Sequence, residues 1–151
     1  MNLDDLTDTL NDLIETCKDG EYGFRSSAEH VRSRATRAEL LQHAEECRRA
    51  AAELQDCVAQ YGGRPEHSGT AAGAIHRGWV AVKSKLARYD DETILADTER
   101  GEDIALARYL NALEADLPGD VRALVERQAL GLRRNQEHVH MLREQAHATR
   151  V

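Results

Sequence analysis

Apolar residues recur along the chain at steps of three and four, the spacing of one face of a helix. Leu3, Leu6, Leu10, Leu13, Cys17, Phe24, Ala28 and Val31 form the first stripe, with Glu21 standing in it as a carboxylate. The stripe predicts a helix of roughly thirty residues. Thr36-Arg37-Ala38-Glu39 has the form of a capping box, in which threonine and glutamate satisfy each other's orphan amides, and it predicts the start of a second helix. The second stripe, Leu40, Ala44, Cys47, Ala51, Leu54, Val58 and Tyr61, carries no charge. Gly62 is a natural C-cap, and Pro65 blocks continuation.

A shorter helix is expected through Ala72, Ile75, Trp79, Val82 and Leu86, broken at RYDDET, where Asp90 or Asp91 can cap the next helix. That helix carries Leu95, Glu99, Glu102, Leu106, Tyr109 and Leu113 on one face. Two glutamates therefore fall in an apolar stripe, with Gly101 between them. A glycine inside a helix costs about 1 kcal/mol relative to alanine. Glutamates three apart on one face repel. DLPGD is the last turn, with Pro118 suited to a first helical turn. The final stripe is Val121, Val125, Gln128, Leu132, Asn135, Val139, Leu142 and Ala146.

Four long helices and a short one predict an all-α chain, a four-helix bundle forming a single domain over residues 1–151. The short segment sets the topology. About eighteen helical residues span ~27 Å, close to a bundle's length, so they can carry the chain back along it. The second and third long helices then run parallel, and one long crossover of this kind is the ferritin-like arrangement. A plain five-helix bundle is the alternative reading.

Composition narrows the function classes. The formal charge is −7, which argues against nucleic acid, since phosphate binding needs a basic footprint, and equally against an anionic membrane surface. No run approaches the ~18 apolar residues of a membrane span. The acidic N-terminus, MNLDDLTDTL, lacks the regions of a signal peptide. Three cysteines (Cys17, Cys47 and Cys57) without a CxxC read as reduced thiols in a cytoplasmic protein. Cys17 and Cys47 lie in stripes, and Cys57 flanks its own and is the more accessible.

The candidate chemistry is polar residues in apolar seams. Counted from the turns at ~1.5 Å per residue, Glu21, Glu102, Gln128 and Asn135 fall near mid-height, with Glu99 one turn from Glu102. Ionised carboxylates buried without partners cost several kcal/mol each, so they need cations, protons or donors. A divalent metal is one solution, with Glu21, Glu99 and Glu102 as ligands and Glu46, Glu53 and Gln128 behind them. Iron or manganese suits such oxygen donors. Arg25, Arg48 or Arg77 pairing with the acids is another. Gly101 would admit a neighbouring backbone or a side chain such as Trp79. A di-iron ferritin-like site needs a Glu on two helices and Glu-x-x-His on the other two. Glu137-x-x-His140 has that form, yet its phase puts it on the surface, and His43-x-x-Glu46 runs in reverse at a stripe's edge. Tyr109 is placed to donate a hydrogen bond near the carboxylates. In His76-Arg77-Gly78-Trp79, the tryptophan reads as an anchor for the crossover helix. The rival to metal chemistry is a homodimeric interaction module without metal, using helix two, where Ala50 and Cys57 extend the apolar surface.

LIETCKDGEYGFRSSAE, YGGRPEHSGTAAGAIHRGW, TERGEDIALARYLNALE and LPGDVRALVERQ together resemble a family of uncharacterised bacterial ferritin-like four-helix-bundle proteins, a domain of unknown function. The resemblance covers nearly the whole chain. It implies the ferritin-like fold and no established activity. A histidine often stands in that family where this chain has Gln136, a departure that bears on any shared metal site.

Overall fold

Polar side chains cap the starts of three of the four described helices. A computed structural model describes residues 1–67 and 89–149, within which α1 (Leu3–His30), α2 (Arg34–Gln60), α3 (Asp91–Leu113) and α4 (Gly119–Ala148) account for most of the chain. Asn2 Oδ1 accepts from the Asp5 amide at 2.8 Å, and Asp90 Oδ1 accepts from the Thr93 amide at 2.8 Å. α2 starts ahead of the expected capping box. Ser33 Oγ accepts from the Thr36 amide at 3.2 Å, which leaves Thr36 buried inside the first turn. α2 ends as expected. Gly62, at φ +80°, donates to Ala59 O, and Gly63 donates to Val58 O, the paired bonds of a Schellman turn. The crossover helix expected around 72–86, with the His76–Trp79 segment and Arg77, lies outside the described residues.

Both hairpins are clamped in the same way. Arg37, in the first turn of α2, donates to Ala28 O at 3.1 Å and Val31 O at 3.0 Å at the end of α1. Arg122, at the same position in α4, donates to Leu113 O at 2.9 Å and Ala115 O at 2.6 Å. Each guanidinium donates to carbonyls at and just past the end of the preceding helix, where intrahelical partners run out.

Cross-helix bonds set the directions. Ser27 meets Thr98 and Cys17 meets Tyr109, so α1 and α3 are antiparallel. Gln128 bonds Ala50 O and Asn135 bonds Glu46, so α2 and α4 are antiparallel. The Asp91 carboxylate accepts from the amides of Arg32 at 2.8 Å and Ser33 at 3.1 Å, which places the start of α3 beside the start of α2. α2 and α3 therefore run parallel, as the crossover reading requires. α1 packs against α2 and α3, α4 against α3 and more thinly against α2. The architecture is an all-α, ferritin-like four-helix bundle. Among the described residues, no helix is long and apolar enough to cross a membrane.

The core comes in two parts. One, at the α3–α4 turn, gathers Leu10, Leu13, Leu54, Val58, Val121 and Val125. The other, at the α1–α2 turn, gathers Phe24, Val31, Leu40, Ile94, Leu95 and Val139. Each fully buried aliphatic side chain contributes about 1.5–3 kcal/mol. Cys57 is buried in the first part, contrary to its expected accessibility, and Ala50 packs against the same cluster. That end of α2 does not offer the apolar surface expected for a dimer.

Candidate functional site at the bundle waist

Between the two core clusters lies a cavity of about 500 Å³, lined from all four helices. Its walls include Gly20 and Gly23 of α1, Gly101 of α3 and Gly131 of α4. A Cβ on Gly23 or Gly101 would meet no described atom within 4 Å. The mid-helix glycine therefore borders open space and seats no neighbouring backbone. Where a bundle would ordinarily fill its waist with leucines, glycines leave room.

Glu102 lines this space and is 4% exposed. Among the described residues neither carboxylate oxygen has a hydrogen-bond partner. Burial, reinforced by Glu99 and Asp103, pushes its carboxyl up to about 8. Leu95, Glu102 and Tyr109 are the buried members of their stripe, each seven residues on, whereas Glu99 falls at its edge. There Glu99 is claimed by α4: Oε1 lies 3.0 Å from His140 Nδ1 and Oε2 lies 3.2 Å from Arg143 Nη1. Glu21 is held by Arg25, one turn along α1, at 3.3 Å. The structure thus does not bring Glu21, Glu99 and Glu102 to one point, because two of the three are satisfied by basic partners at the stripe's edge. Arg48 pairs with Glu45 on the surface and reaches none of them.

The supporting residues do line the cavity. Glu46 accepts from Asn135 Nδ2 at 2.7 Å. Glu53 pairs with Arg127 and accepts from Gln128 Nε2 at 3.3 Å. Tyr109 donates to buried Gln128 and not to a carboxylate. Gln136 donates to Asp103. Cys47 is half-buried on the cavity wall, and burial holds its thiol well above the usual range.

On the α2–α4 seam the structure assembles a cluster that the stripes do not predict. Glu39, His43 and His138 each offer a ligand atom, all within 4.8 Å of one another. Among the described residues they are the only group of three such side chains. His43 Nε2 lies 2.9 Å from His138 Nδ1, and His138 Nε2 lies 3.6 Å from Glu39 Oε2. His43 is 4% exposed, and among the described residues its Nδ1 has no hydrogen-bond partner, with Glu46 Oε2 at 3.8 Å. Burial first, then His138, lowers its pKa against the opposing pull of Glu46 and Glu39, so the imidazole is held neutral and able to ligate. The Glu39-x-x-x-His43 spacing was the available signal, and the capping-box reading had assigned Glu39 elsewhere.

The donor set does not fit a di-iron carboxylate centre. Such a centre needs carboxylates from all four helices and a histidine from two. Among the described residues Glu102 joins no group of three ligand side chains, and Glu46 and Glu53 are engaged by Asn135 and Arg127. Two imidazoles with one carboxylate fit a single divalent ion.

A solved Dps1 variant from Mycobacterium smegmatis is similar over 93% of this chain and 96% of its own, with a TM-score of 0.74 and 18% identity. A DPS protein from Vibrio cholerae O1, described as a member of a broad superfamily of ferritin-like diiron-carboxylate proteins, is similar over 93% of this chain and 87% of its own, with a TM-score of 0.66 and 18% identity. At that identity the likeness concerns the fold. No curated protein sequence matches the chain. Residues 5–115 match the family described as Domain of unknown function (DUF2383). The match takes in α1, α2 and α3, the helices that carry Glu39, His43 and Glu102, and the chain belongs to that family.

Proposed function

We propose that this bundle binds a single divalent transition metal through Glu39, His43 and His138. The convergence of two imidazoles and a carboxylate on the α2–α4 seam carries the reading. That ligand set leaves coordination positions open and suits iron(II), with manganese as the other candidate. Glu46, 3.8 Å from His43 Nδ1, is placed to orient the ring from behind, as carboxylates do for metal-bound histidines. An ion held there supplies Lewis-acid or one-electron chemistry. The superfamily named for the Vibrio cholerae neighbour is in keeping with iron, though the ligands differ from a di-iron set.

The test is metal content of untagged protein by mass spectrometry, with melting followed anaerobically with and without iron(II) or manganese(II). Near-stoichiometric metal and a raised melting temperature, both lost in a His43→Ala/His138→Ala double variant, are expected. No metal and no shift would refute the reading.

The second reading is a homo-oligomeric interaction module. Exposed Leu41 on α2, Ile104 and Leu110 on α3, and Leu130 and Met141 on α4 favour it. Sedimentation of the metal-free protein as a monomer would exclude it.

A further inference from the structure

The metal site leaves the cavity unused. Its walls are mainly apolar, with Phe24, Ala50, Ala105 and Leu132 among them, and its volume of about 500 Å³ falls within the ~300–1,000 Å³ typical of small-molecule sites. Inside it, Glu102 is the group without an answer. It is 4% exposed, and among the described residues no donor reaches either oxygen. The other acids on the walls are engaged: Glu53 by Arg127, Asp97 by Arg100 at 3.0 Å, Asp19 by Arg108 at 4.0 Å and Glu46 by Asn135. A lone carboxylate lacks the further ligands that a divalent ion requires. The chain's net charge of −7 disfavours an anion.

We propose that the waist cavity binds a small organic amine, its ammonium on the Glu102 carboxylate and its apolar body against Phe24, Leu132 and the glycine-cleared walls. The amine supplies the positive partner that the four helices withhold, and a charge-assisted hydrogen bond to a buried carboxylate is among the stronger polar contacts. Burial otherwise favours the protonated carboxyl, so the ammonium's arrival drives one proton from Glu102 to solvent. No covalent bond forms or breaks.

The experiment uses the full chain with chelator present, so that metal binding on the α2–α4 seam plays no part. n-Hexylamine, 1-hexanol and hexanoate are compared by calorimetry and thermal melting. Hexylamine is expected to bind one per chain, hexanol about ten-fold more weakly or worse, and hexanoate not at all. Glu102→Gln should remove the preference for the amine while leaving hexanol affinity unchanged. Gly101→Leu, which sets an isobutyl group into the cavity beside Glu102, should abolish binding of both and leave the manganese response of the chelator-free protein intact. Equal affinity for amine and alcohol, no binding of the amine, or an amine preference that survives in folded Glu102→Gln would each overturn the proposal. The comparison on the unaltered protein decides the matter even if a variant fails to fold.

Discussion

The hydroxyl of Tyr109 donates to Gln128 Oε1 at 2.7 Å, and Cys17 Sγ lies 3.1 Å from the Tyr109 hydroxyl oxygen. The phenol has one proton, so the thiol donates to the phenol. Gln128 passes the chain on, its Nε2 donating to Ala50 O at 3.2 Å. One residue from each helix takes part: Cys17 from α1, Ala50 from α2, Tyr109 from α3 and Gln128 from α4. Burial pushes the Cys17 thiol up to about 11 and holds Tyr109 well above its usual range, so both remain proton donors at neutral pH. Apolar stripes tolerate small slips along a seam, whereas this chain of donors and acceptors sets the relative heights of the helices.

Removing the phenol oxygen orphans the Cys17 thiol and the Gln128 oxygen at once. Tyr109→Phe should cost about 1–3 kcal/mol in urea unfolding. Adding Gln128→Leu should cost less than the two single changes summed, because the partner left unpaired goes with it. Strict additivity would mean that the bridge is not coupled.

Glu102 makes stability fall as pH rises. Its folded-state pKa of about 8 lies above the ordinary carboxylate value of 4.5, so the folded chain holds a proton that the unfolded chain has released. The stabilisation is complete below pH 4.5 and is lost as pH climbs toward 8, at up to about 1.4 kcal/mol per unit. Glu99 and Asp103 are the charges that reinforce the shift. Glu102→Gln should flatten the profile and melt above the unaltered protein at pH 8. Parallel melting profiles from pH 5.5 to 8 would show that the carboxyl does not titrate in that range.

Gly101 and Gly62 should respond oppositely to alanine. A methyl at 101 meets open space and relieves a helix-interior glycine, so Gly101→Ala should stabilise by about 0.5–1 kcal/mol. Gly62 sits at φ +80°, a left-handed position that L side chains adopt at a cost, and Gly62→Ala should destabilise by about 1 kcal/mol. Thermal melts of the two variants side by side test both signs.

Arg37 and Arg122 clamp opposite ends of the bundle. Each alanine substitution removes two hydrogen bonds to carbonyls and should cost about 1–2 kcal/mol in denaturant midpoint analysis. The sites share no partner, so the double variant should lose the sum to within about 0.5 kcal/mol.

The helices were legible because a 3.6-residue period writes itself along the chain. The parallel α2 and α3 followed from segment length alone. Helix starts were less so, since Ser33 and Thr36 are both competent caps and the backbone chose the earlier. Glu102 could be read as buried, standing seven residues from Leu95 and from Tyr109. Glu21 and Glu99 occupied the same stripes on paper, but the stripe drifts around the helix, and at its edge a basic neighbour takes the charge. His43 and His138, 95 positions apart, form a pair that exists only once α2 faces α4. The cavity is likewise a property of all four helices, because Gly101 alone predicts no empty space.

A core divided at the waist has a dynamic consequence. Two apolar clusters with a void between them are two cooperative units joined by a thin polar bridge, and each can loosen while the other stays packed. Amide exchange should resolve them as separate protection classes, one around Leu10 and Val121, the other around Leu40 and Leu95. Loosening of one half would then widen the waist, with the opposite half keeping the four helices in register.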